Sequence, residues 1–370
     1  MQYTKQTDRC KLVSLFCNSF VTTFIKKVDI LYTEESLILM NFKYERGNNM
    51  NTKILKVISI ISILLILFIS GCENDLLNKN DKAIYEALEG TIAAPTDDDS
   101  VKLIQKFRSI VESNNEPYTL VQFIDENIKE TTGDKATAMV ILLEEAQKKH
   151  IQKYTDELFI EDNQMELLKL SGTELFFAEE NIENIQNLKL RELVERIING
   201  KYRLINIEGG FYPIIDYEKL KEYNLYITEE MKEYINVKSF NSNRPVLLDG
   251  EITIPFNEIE ERLVKTEKYI QKYPQGIKFE DALREYADYL RVYMEGAPNS
   301  PIYEYENNQI KDEVLNSYKH IAKDDTLMTS KIISRYLEII EENENIIDES
   351  VLSKVPRLLS EAVAILENIK

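Results

Sequence analysis

Cys72 is the residue whose neighbours indicate the most specific chemistry in the chain. It follows Ile69-Ser70-Gly71, and an unbroken apolar or hydroxylic run of 13 residues, Val57 to Ile69, precedes it. Lys53 and Lys56 lie just before that run. The run is too short for a helix that spans a bilayer, which needs about 20 residues, and it fits the apolar core of an export signal. The small residues let an extended chain enter a narrow peptidase site, and the cysteine supplies a nucleophilic sulfur.

This order of basic residues, apolar run and Ile69-Ser70-Gly71-Cys72 resembles the signal peptide and lipobox of bacterial lipoproteins. The resemblance implies that Cys72 is joined to diacylglycerol and that the signal is cut between Gly71 and Cys72. Two or three acyl chains anchor a protein stably, whereas one chain binds a membrane only marginally. We therefore expect a lipid-anchored protein on the outer face of the cell membrane. A membrane-anchoring helix with a chance cysteine is the alternative.

The lipoprotein interpretation also divides the first hundred residues. A signal of this kind begins the polypeptide, so we expect translation to start at Met50 and residues 1–49 to be an extension from a wrongly assigned start. Residues 50–71 are then the signal peptide, and residues 72–99 are the lipidated cysteine and a flexible tether. The abundance of Asn, Ile and Lys is typical of an AT-rich genome and favours a Gram-positive source.

The charge of the chain excludes one large class of function. Lys and Arg number 45 against 64 Asp and Glu, a formal net charge of -19. Residues 1–71 carry a net charge of +4, so the remainder carries -23. Because binding to phosphates depends on Lys and Arg, we expect no nucleic-acid partner. The same charge disfavours adsorption to anionic lipids, which leaves the lipid as the anchor.

No pattern in the sequence predicts a catalytic, cofactor or metal site. His150 and His320 lie outside any paired-histidine metal motif, and no G-x-S-x-G sequence is present. Gly209-Gly210 lacks the spacing of a dinucleotide-binding loop. Carboxylate pairs such as Glu179-Glu180 suit general acid and base catalysis on a glycan. However, such pairs are frequent by chance in an acidic chain, and solvated helix faces explain them.

Tyrosine is unevenly distributed. Of the 18 tyrosines after Cys72, 13 lie between Tyr202 and Tyr305. Helical spacing in part of this region favours core packing, whereas a wet groove for a peptide or glycan is the alternative use of tyrosine. Loops carry recognition more often than helices do, so Phe211, Tyr212 and Tyr303 are the candidate binding residues.

The elements that position these residues are predicted to form a mainly α fold, a body of helical hairpins with a small inserted β-hairpin element. Residues 101–200 read as a helical unit, with one helix reaching about Leu158 and a long helix over 173–198. Residues 201–370 read as a second helical unit that folds alone or with the first. Its β element comprises strands near 202–208 and 211–215 and a smaller pair near 246–248 and 252–254.

Two further resemblances concern the second unit. Residues 258–294, two helices joined by a turn at Lys272-Tyr273-Pro274, resemble one tetratricopeptide-type hairpin, although no period near 34 residues extends it. The stretch from Glu208 to Tyr217 is similar to uncharacterised exported proteins of spore-forming Gram-positive bacteria, which implies no activity.

These observations predict a binding or scaffold protein of the cell envelope. Its partner is an envelope protein, a peptide or a glycan, and the sequence does not choose among them. One alternative is a hydrolytic enzyme, such as a glycan-cleaving one, that uses a carboxylate pair not located in the sequence. A structural spacer in the envelope is another.

Overall fold

The computed structural model of the chain describes residues 99–131 and 133–369, which belong to one compact unit, Asp81–Lys370. Gly71, Cys72 and the predicted signal lie outside the described residues, as does all of the predicted tether but its last residue. The described part contains thirteen α-helices and three two-stranded antiparallel sheets, so the expected mainly α fold with small β-hairpins is confirmed. No helix within these ranges has both the length and the apolarity needed to cross a membrane.

The bounds of these elements are as follows. The helices are α1 (Asp99–Glu112), α2 (Pro117–Asn127), α3 (Asp134–Leu158), α4 (Asn163–Ser171), α5 (Leu188–Asn199), α6 (Tyr217–Leu220), α7 (Glu229–Asn243), α8 (Phe256–Lys272), α9 (Phe279–Glu295), α10 (Asp312–Ile321), α11 (Met328–Glu342), α12 (Glu349–Leu352) and α13 (Val355–Glu367). The strands are β1 (Tyr202–Ile207), β2 (Gly210–Ile215), β3 (Leu247–Leu248), β4 (Glu251–Ile252), β5 (Gly296–Ala297) and β6 (Ser300–Pro301).

Helix α3 is the centre of the first half of the described chain. Its residues from Ala136 to Leu143 are all buried, because α1, α2, α5 and β2 pack around it. A helix that is apolar on all sides over two turns is stable only when other elements cover it. The predicted end of this helix, Leu158, is confirmed.

The β-hairpin of β1 and β2 packs on α3. Its register runs from Tyr202 opposite Ile215 to Ile207 opposite Gly210. Glu208 and Gly209 form the turn, with φ angles of 50° and 78°. Positive φ at both turn positions matches the right-handed twist of the strands. The turn therefore lies one residue earlier than the Gly209-Gly210 pair suggests.

The predicted helix over 173–198 is wrong for its first half. Only Leu188–Asn199 is α-helical. The N–H of Phe177 donates to the Leu204 carbonyl (3.0 Å), and the N–H of Asn206 donates to the Leu175 carbonyl (2.8 Å). Pairing with β1 therefore uses backbone groups that a helix would need, and a 3₁₀ segment, Glu179–Asn184, follows.

The hairpin of α8 and α9 is the centre of the second half, with α10, α11 and α13 packed on it. The two helices match the hairpin predicted over 258–294. The small hairpin of β3 and β4 turns at Asp249-Gly250 as predicted, whereas the hairpin of β5 and β6 was missed. One hydrophobic core extends from Ile104 to Leu366 and takes residues from both predicted units.

Most of the concentrated tyrosines belong to this core. Eight of the thirteen are buried: Tyr202, Tyr217, Tyr223, Tyr234, Tyr269, Tyr286, Tyr289 and Tyr293. The Tyr293 and Tyr318 rings meet edge to face at 5.0 Å, and the Tyr318 hydroxyl donates to the Tyr293 carbonyl (2.5 Å). Tyr293 and Tyr318 thus pack their rings and bond their hydroxyls within the core, with the Tyr293 hydroxyl 2.6 Å from that of Ser317.

Candidate functional site

The three predicted binding residues have different surroundings. Phe211 is completely buried, with its ring edge to face against Phe177 at 5.7 Å. It lies in strand β2, as does Tyr212, so the prediction that these two residues lie in a loop is wrong. Tyr212, the next residue of β2, points to the other face and is half-buried. Tyr303 is half-buried against the core, in a short bridge to Ile310.

Tyr212 contributes to an exposed apolar surface that we call the aromatic patch: Phe159, Ile160, Met165 and Tyr212. The rings of Phe159 and Tyr212 lie 5.0 Å apart. Phe159 is 46% exposed, Ile160 53% and Met165 64%. Ile160 and Met165 lie within six residues of Phe159 along the chain, and exposed large apolar residues grouped in this way mark interaction surfaces more often than scattered ones do. The sequence missed three of the four, because nothing local shows that the end of α3 lies beside β2.

Backbone geometry brings the parts of the patch together. The chain turns sharply between α3 and α4 through Glu161, whose φ is 51°. Gln164 then uses both ends of its amide on β2: it accepts from the Phe211 N–H (2.7 Å) and donates to the Phe211 carbonyl (3.1 Å). A Cβ at Gly210 would lie 3.1 Å from the Phe159 ring, so glycine allows this ring to lie against the hairpin.

A second candidate is a cluster of charges between α3 and α9, here called the charge network: Glu144, Glu145, Lys148, Lys278 and Asp281. Glu144 and Lys278 are buried, and the other three are partly exposed. The Lys278 ammonium lies 2.5 Å from Glu144 Oε2 and 3.1 Å from Glu145 Oε1. Lys148 lies 3.0 Å from Glu145 Oε1 and 3.2 Å from Asp281 Oδ2. The hydroxyls of Tyr217 and Tyr234 donate to Glu144 Oε1 at 2.6 and 2.7 Å.

The network keeps its groups charged in spite of burial. Burial alone would raise the pKa of Glu144, but Lys278 and Lys148 outweigh it and hold that pKa well below its usual range. Burial would lower the pKa of Lys278, and Glu144 reverses the effect and raises it. Both groups are therefore ionised at neutral pH, and each compensates the desolvation of the other.

The carboxylates of Glu144, Glu145 and Asp281 are the one group of three in the described residues that could hold a metal ion, with ligand atoms within 4.8 Å of one another. Oxygen ligands of this kind suit hard divalent cations. The ammonium groups of Lys148 and Lys278 already lie among these oxygens, so the cationic position is filled by the protein itself. The arrangement fits a structural role better than a metal centre.

His320 and Glu260 form a third candidate, beside an open groove of about 640 Å³ between α8 and α10. Glu260 Oε1 lies 2.5 Å from His320 Nδ1, and the Ser317 hydroxyl donates to Glu260 Oε2 (2.6 Å). Glutamate therefore stands between serine and histidine. In a catalytic triad the histidine must stand between the other two so that it can take the serine proton. The trio lacks that order.

Comparison with known proteins adds no relative: no protein-family model, curated protein or solved structure matches the chain.

Proposed function

We propose that the protein is a lipid-anchored binding protein of the outer face of the cell membrane, and that the aromatic patch is part of its contact surface. The observation that carries this proposal is the exposure of Phe159, Ile160 and Met165 beside Tyr212. The Phe159 ring lies against Tyr212 and Gly210, and a side chain held in this way suits recognition because few rotamers are lost on binding.

The carboxylates gathered by the fold favour binding over glycan cleavage. Cleavage needs one carboxylic acid with a raised pKa and a second carboxylate across the substrate. Burial raises the pKa of Glu230, Asp288 and Glu295. Asp288 lies 3.6 Å from Arg291. A Cβ at Gly276 would lie 2.5 Å from Glu230 Oε1, so that carboxylate is packed against the turn before α9. The carboxylates of the charge network face lysines instead of a cleft.

The anchor rests on Cys72 and is tested there. Cys72→Ala removes the sulfur that would carry diacylglycerol, so fatty-acid labelling of the protein should disappear and the chain should leave the membrane fraction or remain unprocessed. Ser70→Ala, which keeps a small residue two positions before the cysteine, is the matched control and should leave labelling unchanged. Labelling that survives in Cys72→Ala contradicts the anchor.

The contact surface is tested by photocrosslinking in intact cells. A photoreactive amino acid at Ile160 should form a discrete crosslinked product, and Phe159→Ser should abolish it because the neighbouring ring is lost. The same amino acid at Leu225, which is 86% exposed on another part of the chain, is the matched control. Equal products from both positions would mean that exposure alone causes crosslinking, and the patch would not be the contact surface.

A further inference from the structure

The segments that form the aromatic patch carry charge of one sign. Residues 156–166 and 206–213 contain six acidic residues and no Lys or Arg. Three of the six are engaged: Asp156 accepts from the Gln152 amide (2.7 Å), Glu157 lies 3.4 Å from Arg196, and Glu166 accepts from the backbone N–H of Asn187 (3.2 Å). The patch therefore combines an apolar centre with an acidic rim.

Three rim carboxylates are available to a partner. Glu161 and Asp162 follow Ile160 directly, and Glu208 lies at the tip of the hairpin beside Gly210. All three are exposed. None of them forms an ion pair with another residue of the described ranges. A cation brought to the patch by a partner would therefore meet carboxylates that no lysine or arginine of this part of the chain neutralises.

The edge of β2 next to the patch does not accept an added strand. The backbone N–H and carbonyl of Phe211 are already bonded to the Gln164 amide. Pro213, two residues further along the same edge, has no N–H to donate. A partner must therefore bind through side chains, which excludes strand addition as the mode of recognition.

The acidic rim also determines which class of partner the apolar patch can bind. A second copy docked about a twofold axis would place two acidic rims against each other, which costs free energy. Anionic lipid headgroups would be repelled for the same reason. A segment with large apolar side chains flanked by Lys or Arg satisfies both parts of the surface at once.

We infer that the aromatic patch binds cationic amphipathic peptide segments, with their apolar face on Phe159, Ile160, Met165 and Tyr212 and their basic residues on Glu161, Asp162 and Glu208. This inference rests on the proposed binding function and specifies its partner class. The carboxylates steer and orient the segment, and the apolar side chains supply most of the affinity.

The test uses the full chain in phosphatidylcholine nanodiscs and a fluorescent 18-residue helix with leucines on one face and lysines on the other. Binding is followed by anisotropy, with empty nanodiscs as the blank. The same peptide with every lysine replaced by glutamate is the charge control. We expect the lysine peptide to bind, the glutamate peptide not to bind, and the affinity to fall as NaCl rises from 50 to 500 mM.

Variants separate the two parts of the surface. Phe159→Ser with Tyr212→Ser should weaken binding about tenfold or more, as loss of aromatic anchors does. Glu161→Lys with Asp162→Lys and Glu208→Lys should weaken it by a similar factor and remove the salt dependence. The same charge change elsewhere, at Glu304, Glu341 and Glu342, and the apolar control Leu225→Ser should leave the affinity within about twofold.

Four outcomes overturn the inference. These are equal binding of both peptides, undiminished binding by the rim variant, self-association through the patch without peptide binding, and patch-dependent binding to phosphatidylcholine vesicles. If crosslinking at Ile160 in cells still depends on Phe159, only the cationic partner class is refuted. If that crosslink is also absent, the proposed binding function fails with it.

Discussion

At the residue scale, Lys278 shows how a charge is made tolerable inside this protein. Its side chain is 2% exposed, and three carboxylates lie within 3.5 Å of its ammonium. The Lys278 ammonium also lies over the ring of Tyr234, with 5.5 Å between the nitrogen and the ring centre. Breaking such a pair from one side leaves an uncompensated buried charge, which costs far more than the intact pair contributes.

Lys278→Met should therefore destabilise the protein by about 3–5 kcal/mol, measured by urea unfolding at neutral pH. The matched control is Lys272→Met, the same substitution at an exposed lysine 2.6 Å from Glu233, which should change stability little.

Because the folded pKa of Glu144 is depressed, the network stabilises the fold above about pH 4 and loses this contribution as the pH falls further. The variant should thus lose less stability on acidification than the natural chain. Equal losses would contradict the role of Glu144.

At the element scale, neighbouring helices supply caps that local sequence does not show. Helix α11 has no cap from its own preceding residue Leu327. Instead Glu267 of α8 accepts from the N–H of Met328 (2.5 Å) and of Thr329 (2.9 Å). A carboxylate there satisfies two free donors and lies at the positive end of the helix dipole. Glu166 of α4 likewise accepts from the backbone N–H of Asn187, the residue just before α5.

Elements set by local pattern were predictable, and those set by distant partners were not. The apolar periodicity of α3, α8 and α9 and the Asp249-Gly250 turn are local signals, and the structure has each element where they predict it. The segment from Leu175 to Phe177 has an apolar sequence compatible with a helix, but β1 takes its backbone groups. The candidate site followed the same rule: Tyr212 could be found from its sequence neighbours, whereas Phe159 is recognisable only once α3 and β2 are adjacent.

At the scale of the whole molecule, two features join the halves that the sequence separates near residue 200. The charge network links α3 to α9 across 133 residues of chain, through Lys148 to Asp281 and Lys278 to Glu145. The hydrophobic core is also shared between the halves. A core and a charge network held in common favour a single cooperative transition, since neither half can unfold without exposing surface of the other.

Hydrogen exchange followed by mass spectrometry tests this cooperativity in the full chain. The slowest amides of α3 and of α8 should open with the same free energy, because both require global unfolding. Lys278→Met should lower both opening free energies equally. If the halves unfold independently, the decrease should be confined to the half that contains Glu144, because Glu144 has lost its charge partner. Arg335→Met, a change at an exposed ion pair with Glu361, is the control and should leave the slowest amides of α3 unchanged. Separate opening free energies in the natural chain, with α8 unaffected by Lys278→Met, would show that the network joins two domains without making them fold as one.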